Sequence, residues 1–240
     1  MDNAVYVTLS RQLALVRDLD VTANNLANAN TTGFNASHIM FSTYLAKDPA
    51  NGPLAMANDA NEYRDTTKGD LQSTGNPLDV AINGPGYFQL ETPLGPRYTR
   101  AGNFQVDGTG TLVSVEGYPV LDQTGQHIAF NPEDSRVTIG TAGNITVNGE
   151  ERATIAVVDF PNPQMMTRLG SRLYSTAQTP AQVPVPAVVQ GVLEGANLKP
   201  VLEITHIMDI THAVSDTAQM VSALYDLESK TATTWTQQVS

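Results

Sequence analysis

The sequence predicts an α+β chain, with a discontinuous coiled-coil-like helical domain made from both termini and a central all-β domain of sandwich or open-barrel type. Three observations predict it. Apolar residues recur at three- and four-residue steps over residues 3–30 and again over about 198–235. Between these arms, over about 75–190, the pattern changes to short alternating runs punctuated by Gly-containing turn pairs. No strand–helix–strand alternation occurs, which argues against a doubly wound parallel sheet. The expected division is 1–35 for the first arm, 36–74 for a connecting loop or extended segment, 75–190 for the β domain and 191–240 for the second arm.

In the first arm Leu9, Leu13 and Val16 form one row, continued by Ala23, Ala27 and Asn30 and interrupted by Asp20. A second row, Leu15, Leu19, Thr22, Leu26 and Ala29, runs beside it. Together they make a broad apolar stripe with small residues toward its end. Asn3 is the expected N-cap and Gly33 the expected residue just past the helix end. Residues 34–74 read as a loop with short extended pieces, holding Ile39, Met40, Phe41, Tyr44 and Leu45 before Pro49, Gly52 and Pro53.

The middle carries runs such as Leu78 to Ile82, Tyr87 to Leu90, Arg97 to Arg100, Thr111 to Val115 and Thr154 to Phe160. Asn83-Gly84, Asp107-Gly108, Glu116-Gly117 and Asn148-Gly149 supply the turns. Pro180, Pro184 and Pro186 mark a linker, and Pro200 suits a first helical turn. Ile204, Ile207, Thr211, Val214, Ala218, Val221 and Tyr225 then alternate three- and four-residue steps, widened by Met208, Met220, Leu224 and Leu227. Thr211 is a polar intruder in that seam.

Composition narrows the function. The 240 residues include 41% hydrophobic residues, enough for a real core, and only 15% charged ones. A formal net charge of −11 repels phosphate, so nucleic acid and anionic membrane surfaces are not expected partners. The absence of cysteine excludes disulfides and thiolate metal sites. The opening Met1-Asp2-Asn3-Ala4-Val5-Tyr6 has neither the basic nor the apolar region of a secretory signal, and no run approaches a membrane span of about 20 residues.

No catalytic pattern emerges. His206 and His212 are six apart, not the i, i+4 of a helical zinc pair, and His38 and His127 have no partner in sequence. The carboxylates Asp20, Asp79, Asp107, Glu133, Asp134, Glu150, Glu151 and Asp159 are scattered. There is no G-x-S-x-G, Gly84-Pro85-Gly86 is not a phosphate loop, and Asp107-Gly108-Thr109-Gly110 lacks EF-hand continuation. No enzyme activity, cofactor or metal is expected. On the residues alone the two arms fit either polymerisation or an internal helical hairpin. A free secreted β-domain adhesin, or a glycan hydrolase working through a carboxylate pair, therefore stays open.

Ala23-Asn24-Asn25-Leu26-Ala27-Asn28-Ala29-Asn30-Thr31-Thr32-Gly33-Phe34 resembles the N-terminal signature of flagellar rod and hook proteins. Asn76 to Gly84, Arg97 to Phe104, and Gly117 to Leu121 resemble the central motifs of that family, in the same order. Gln190-Gly191-Val192-Leu193-Glu194-Gly195-Ala196-Asn197 resembles the segment before its C-terminal helix. The short length and the opening look most like the proximal-rod branch, with distal-rod or hook-type subunits second. Thr211-His212-Ala213-Val214 departs from the usual C-terminal stretch.

The resemblance implies a structural subunit of the bacterial flagellar rod, exported without a cleaved signal by the flagellar type III apparatus. Its implied partners are copies of itself and neighbouring rod proteins, with no nucleic acid, small-molecule substrate or membrane insertion. Expected assembly residues are Leu9, Leu13, Val16, Leu26, Ile204, Ile207, Val214, Val221 and Leu224. The motif positions are Asn24, Asn25, Asn28, Thr31, Thr32, Gly33, Phe34, Gly191, Glu194, Gly195 and Asn197.

Overall fold

A computed structural model describes the backbone of residues 2–48, 52–131, 134 and 136–238, and side chains over 5–42, 61–131, 134, 136–227 and 229–230. Pro49 and Glu133, named above, lie outside the described residues. The chain forms two compact units, one of Met1–Ala27, Ser37–Asp65 and Lys199–Ser240, the other of Asn28–Ala36 and Thr66–Leu198.

The first unit holds helix α1 (Asp2–Ala27), strands β1 (Ser37–Asp48) and β2 (Gly52–Arg64), and helix α2 (Pro200–Gln238). The helices pack together, and both strands pack on α1. Pro200 opens α2, as its missing N–H allows. Asn3 lies inside α1 rather than capping it, because the helix already begins at Asp2. The segment expected to be a loop with short extended pieces is instead a long antiparallel hairpin, paired from Ser37↔Arg64 to Asp48↔Gly52 with a bulge between Met40 and Phe41. Its apolar run lacks strict alternation, which hid the strands, and the bulge accounts for the slipped period.

On α2 the inward row is Glu203, Ile207, Ile210, Val214, Thr217, Val221 and Leu224, with Ile210 and Thr217 buried and the others half-buried. Ile204, Thr211, Ala218 and Tyr225, which share the sequence-derived row, face out. The helix is rotated so that Ile210 is buried in place of its neighbour Thr211. Inward threonines satisfy their hydroxyls locally: Thr22 donates to the Asp18 carbonyl at 2.7 Å and Thr217 to the Ala213 carbonyl at 2.6 Å. Buried apolar side chains are few. Among the described residues of this unit only Ala14 and Ile210 are buried hydrophobics.

The second unit is all-β. Its strands are β3 (Leu71–Ser73), β4 (Val80–Ile82), β5 (Tyr87–Thr92), β6 (Gly95–Thr99), β7 (Gln105–Val106), β8 (Leu112–Val113), β9 (Val137–Ile139) and β10 (Asn144–Val147). They continue as β11 (Glu150–Thr154), β12 (Val157–Asp159), β13 (Thr167–Leu169), β14 (Leu173–Ser175), β15 (Ala181–Gln182), β16 (Val188–Gln190) and β17 (Val192–Glu194). A six-stranded sheet has the order β13-β14-β6-β5-β12-β15; a three-stranded sheet is β11-β10-β9; β16-β4, β17-β3 and β7-β8 form pairs. Every pairing is antiparallel.

Strand alternation explains the core. Val157 pairs with Phe88 and both enter the main cluster with Val80, Ile82, Leu90 and Ile155. Their neighbours Val158 and Tyr87 also pair and point the other way, into a second cluster with Tyr98, Phe160, Met166 and Tyr174. Two turns are chemically identical. Asp107 Oδ1 accepts from Thr109 N, Thr109 Oγ1 and Thr111 N at 2.7–2.9 Å, and Asp122 Oδ1 accepts from Thr124 N, Thr124 Oγ1 and Gln126 N at 2.7–2.8 Å. The residues that looked like a calcium loop thus hold their own backbone.

Candidate assembly surface

Helix α1 turns an apolar row outward. Tyr6, Leu9, Leu13 and Val16 are 58%, 46%, 62% and 41% exposed, at steps of three, four and three. The opposite face, toward the rest of its unit, carries small or polar buried residues: Thr8, Ala14, Thr22 and Asn25. A helix that buries threonine and asparagine and exposes leucine is inverted relative to a solvated surface helix. On α2, Val201, Leu202, Ile204, Met208, Met220, Tyr225 and Leu227 are exposed as well. Exposed apolar surface of this kind suits a contact face.

Polar groups also join the elements of this unit. His206 Nε2 lies 3.3 Å from Asp18 Oδ2. The Asn25 amide donates to the Ser37 carbonyl at 2.8 Å and accepts from the Ser37 N–H at 3.0 Å, tying α1 to β1. It also lies 3.4 Å from Glu203 Oε2. A groove of about 260 Å³ runs between the helices, beside Val7, Thr8 and Arg11 of α1 and Ala213, Asp216, Thr217 and Met220 of α2.

The predicted assembly residues therefore fall in two groups. Leu9, Leu13, Val16 and Ile204 are exposed, while Leu26, Ile207, Val214, Val221 and Leu224 are half-buried within the helical unit. Of the motif asparagines, Asn25 is buried, Asn24 is exposed, and Asn28 accepts from the Thr31 hydroxyl through Oδ1 at 3.2 Å.

The remaining motif positions converge in the β unit. Helix α1 stops at Ala27 and Gly33 comes six residues later, so its positive φ of +68° serves a chain crossing and not the helix end. Its N–H donates to the Glu194 carbonyl at 2.8 Å, and a Cβ there would sit 2.5 Å from Ala101 N. Gly69 is needed for a similar reason, since a Cβ there would come 2.0 Å from the Gly195 carbonyl oxygen. Gly191, also at positive φ, accepts from Thr74 N at 2.8 Å. Thr32 lines a polar recess with Gln72, Thr74 and Gly195.

Phe34 is 1% exposed, with the Arg168 guanidinium carbon 4.5 Å from its ring centroid. Arg168 Nη2 also donates to the Asn35 carbonyl, and the Tyr174 hydroxyl donates to Asn35 Oδ1 at 3.2 Å. Asn197 Oδ1 accepts from Ala36 N at 2.7 Å while its Nδ2 donates to the Thr67 carbonyl at 2.9 Å.

Glu194 is the centre of this junction. Its Oε2 accepts from Arg100 Nε at 2.9 Å and from Nη2, and Oε1 accepts from Gly69 N at 3.2 Å. The other Arg100 donors reach the carbonyls of Gly84, Gly86 and Ile82 at 3.0, 2.7 and 3.2 Å. Arg100, Arg168, Tyr174, Asn35 and Thr67 were not singled out as functional by sequence reasoning. Their partners are far away in the chain, and only the position of Arg100 inside the Arg97 to Phe104 motif hinted at a role.

The histidines are dispersed: His127 pairs with Glu91 and the His38 ring lies 5.5 Å from that of Tyr63. Among the described residues no group of three or more His, Cys, Asp or Glu converges as a metal site would require. No described helix is long and apolar enough to cross a membrane.

Residues 6–35 match the family of flagella basal body rod proteins, and residues 81–147 match the flagellar hook protein FlgE/F/G D1 domain. The chain is also 38% identical over 234 residues to the flagellar basal-body rod protein FlgF of Caulobacter vibrioides, covering 95% of each protein. The chain belongs to the flagellar basal-body rod protein family. FlgF of Mesorhizobium japonicum is 34% identical over 92% of each chain, and FlgG of Bacillus subtilis is 35% identical over 72% of this chain and 73% of its own. Among these relatives the rod-family likeness runs further along FlgF, the proximal rod protein, than along FlgG. As a rod-family chain the protein is a structural subunit of the flagellar basal body.

Proposed function

We propose that this chain polymerises axially through its two terminal helices, forming part of the drive shaft that transmits torque across the periplasm. The observation that carries this is the inverted helical unit, with two buried apolar side chains among its described residues, a row of exposed ones on α1 and further exposed ones on α2. Each apolar side chain covered on assembly would contribute roughly 1.5–3 kcal/mol before ordering costs. Subunits joined by heterologous contacts grow into a helical tube rather than a closed ring.

In this reading α1 and α2 make the axial contacts in a coiled-coil-like arrangement, and the hairpin β1–β2 accompanies them. The β unit of Asn28–Ala36 and Thr66–Leu198, a sandwich or open barrel, is the rigid spacer. Its partners are copies of the same chain and neighbouring rod proteins, and the flagellar type III apparatus exports it. No catalytic step, cofactor, nucleic acid, small-molecule substrate or membrane insertion enters this function. Assembly rests on Leu9, Leu13, Val16 and Ile204 facing neighbours, with Leu26, Ile207, Val214, Val221 and Leu224 holding the helices together.

Leu13→Asp and Val221→Asp test it. Both variants should fail to co-purify with basal bodies and abolish motility, while the β domain retains its thermal transition. Normal motility in Leu13→Asp would overturn the reading.

A further inference from the structure

The groove between α1 and α2 has room for a side chain of the outward row of α1, and Arg11 beside it is opposite in charge to Asp20 at the end of that row. The groove offers about 260 Å³, room for an aliphatic side chain, above the buried hydroxyls of Thr8 and Thr217. Val7, Ala213 and Met220 supply its apolar walls, and Arg11 and Asp216 stand exposed beside it on α1 and α2 respectively.

The row Tyr6, Leu9, Leu13, Val16 is the matching set of knobs, and its next member by the same spacing is Asp20. Both Asp20 and Arg11 are exposed, and neither side chain has a hydrogen-bond or ion-pair partner among the described residues. A carboxylate carried into an apolar seam loses its water and must find a cation there. A lone polar seam residue also sets the register of helices that pair through it.

We propose that the groove receives the outward row of α1 from a second copy of this chain, with Asp20 of the incoming helix pairing with Arg11. This rests on the assembly reading above and adds the partner's identity and register. With Val16 of the incoming helix seated over Thr8, Asp20 lies one turn further on, about 6 Å by helical rise. Arg11 lies about 4.5 Å beyond Thr8 in the same direction when the two α1 helices run parallel. An antiparallel approach would carry Asp20 away from Arg11. The pairing therefore specifies parallel helices offset by about eight or nine residues, roughly 12–14 Å.

A charge swap tests it. The full chain and the variants Asp20→Arg, Arg11→Asp and the double exchange are compared by sedimentation equilibrium, with circular dichroism melts to confirm equal folding. Each single change should weaken self-association about tenfold or more, and the double exchange should restore it to within about threefold of the parent. Single variants that associate normally, or a double exchange that restores nothing, would overturn the pairing while leaving self-assembly standing. A parent chain that stays monomeric at every concentration, or that binds basal bodies without binding itself, would overturn the second copy as occupant and the self-polymerising reading with it.

Discussion

Arg100 and Glu194, 94 positions apart in the chain, form an ion pair in which both side chains are almost wholly buried, at 8% and 3% exposure. Every polar atom of the pair is used. Two guanidinium nitrogens meet one carboxylate oxygen, three backbone carbonyls take the remaining contacts, and the second carboxylate oxygen holds the Gly69 N–H.

Breaking that pair leaves a buried charge without its counterion. Glu194→Ala or Arg100→Ala should destabilise the β unit by about 3–5 kcal/mol, whereas replacing both together should cost less than the sum. Denaturant unfolding of the four proteins measures this as a double-mutant cycle. Additive effects would show that the two groups do not act as one.

Gly33 cannot carry a side chain where it stands. Gly33→Ala would place a methyl carbon 2.5 Å from Ala101 N at φ +68°. The expected cost is at least about 1–3 kcal/mol, read as a lowered thermal midpoint. An unchanged midpoint would show that the crossing relaxes freely.

Acid should loosen the repeated turns. The Asp107 carboxyl is held below its ordinary value of 3.8, first by the Thr109 hydroxyl and then by backbone N–H groups. At Asp122 burial works upward, but the donors at Gln126, Thr124 and Gly125 outweigh it, and the carboxyl again ends below 3.8. A depressed carboxylate contributes stability that is full above its unfolded value and lost as the pH falls through its folded value. Asp122→Ala should therefore be less stable than the parent at neutral pH, with the gap closing below pH 3.8. Melts across that range check the sign.

The two units should differ in protease resistance. With little apolar burial to offset chain ordering, the helices of a dilute monomer should be cut first, while the β unit survives as a resistant core. Limited proteolysis read by mass spectrometry checks this, and helices as resistant as the β unit would count against folding on assembly.

The helical ends and antiparallel middle were legible because hydrophobic periodicity is a local signal. Leu9, Leu13 and Val16 announce a helix, and Tyr87-Phe88 announces a strand whose neighbours take opposite faces. The hairpin β1–β2 was not legible, because its bulge between Met40 and Phe41 breaks the alternation. The rotation of α2 that buries Ile210 instead of Thr211 was also missed, since a row of three- and four-residue steps fits two adjacent seams equally well.

The sequence by itself determined the two helical arms and the antiparallel middle, the family motifs and the surplus of apolar residues on the terminal arms, all of which depend on residues within a few turns of one another. Only the tertiary structure decided which arm residues face outward, that Gly33 serves a crossing beneath Glu194, and that Arg100 neutralises that carboxylate. Those are relations between distant segments, and their energies depend on burial and close approach, which no local pattern encodes.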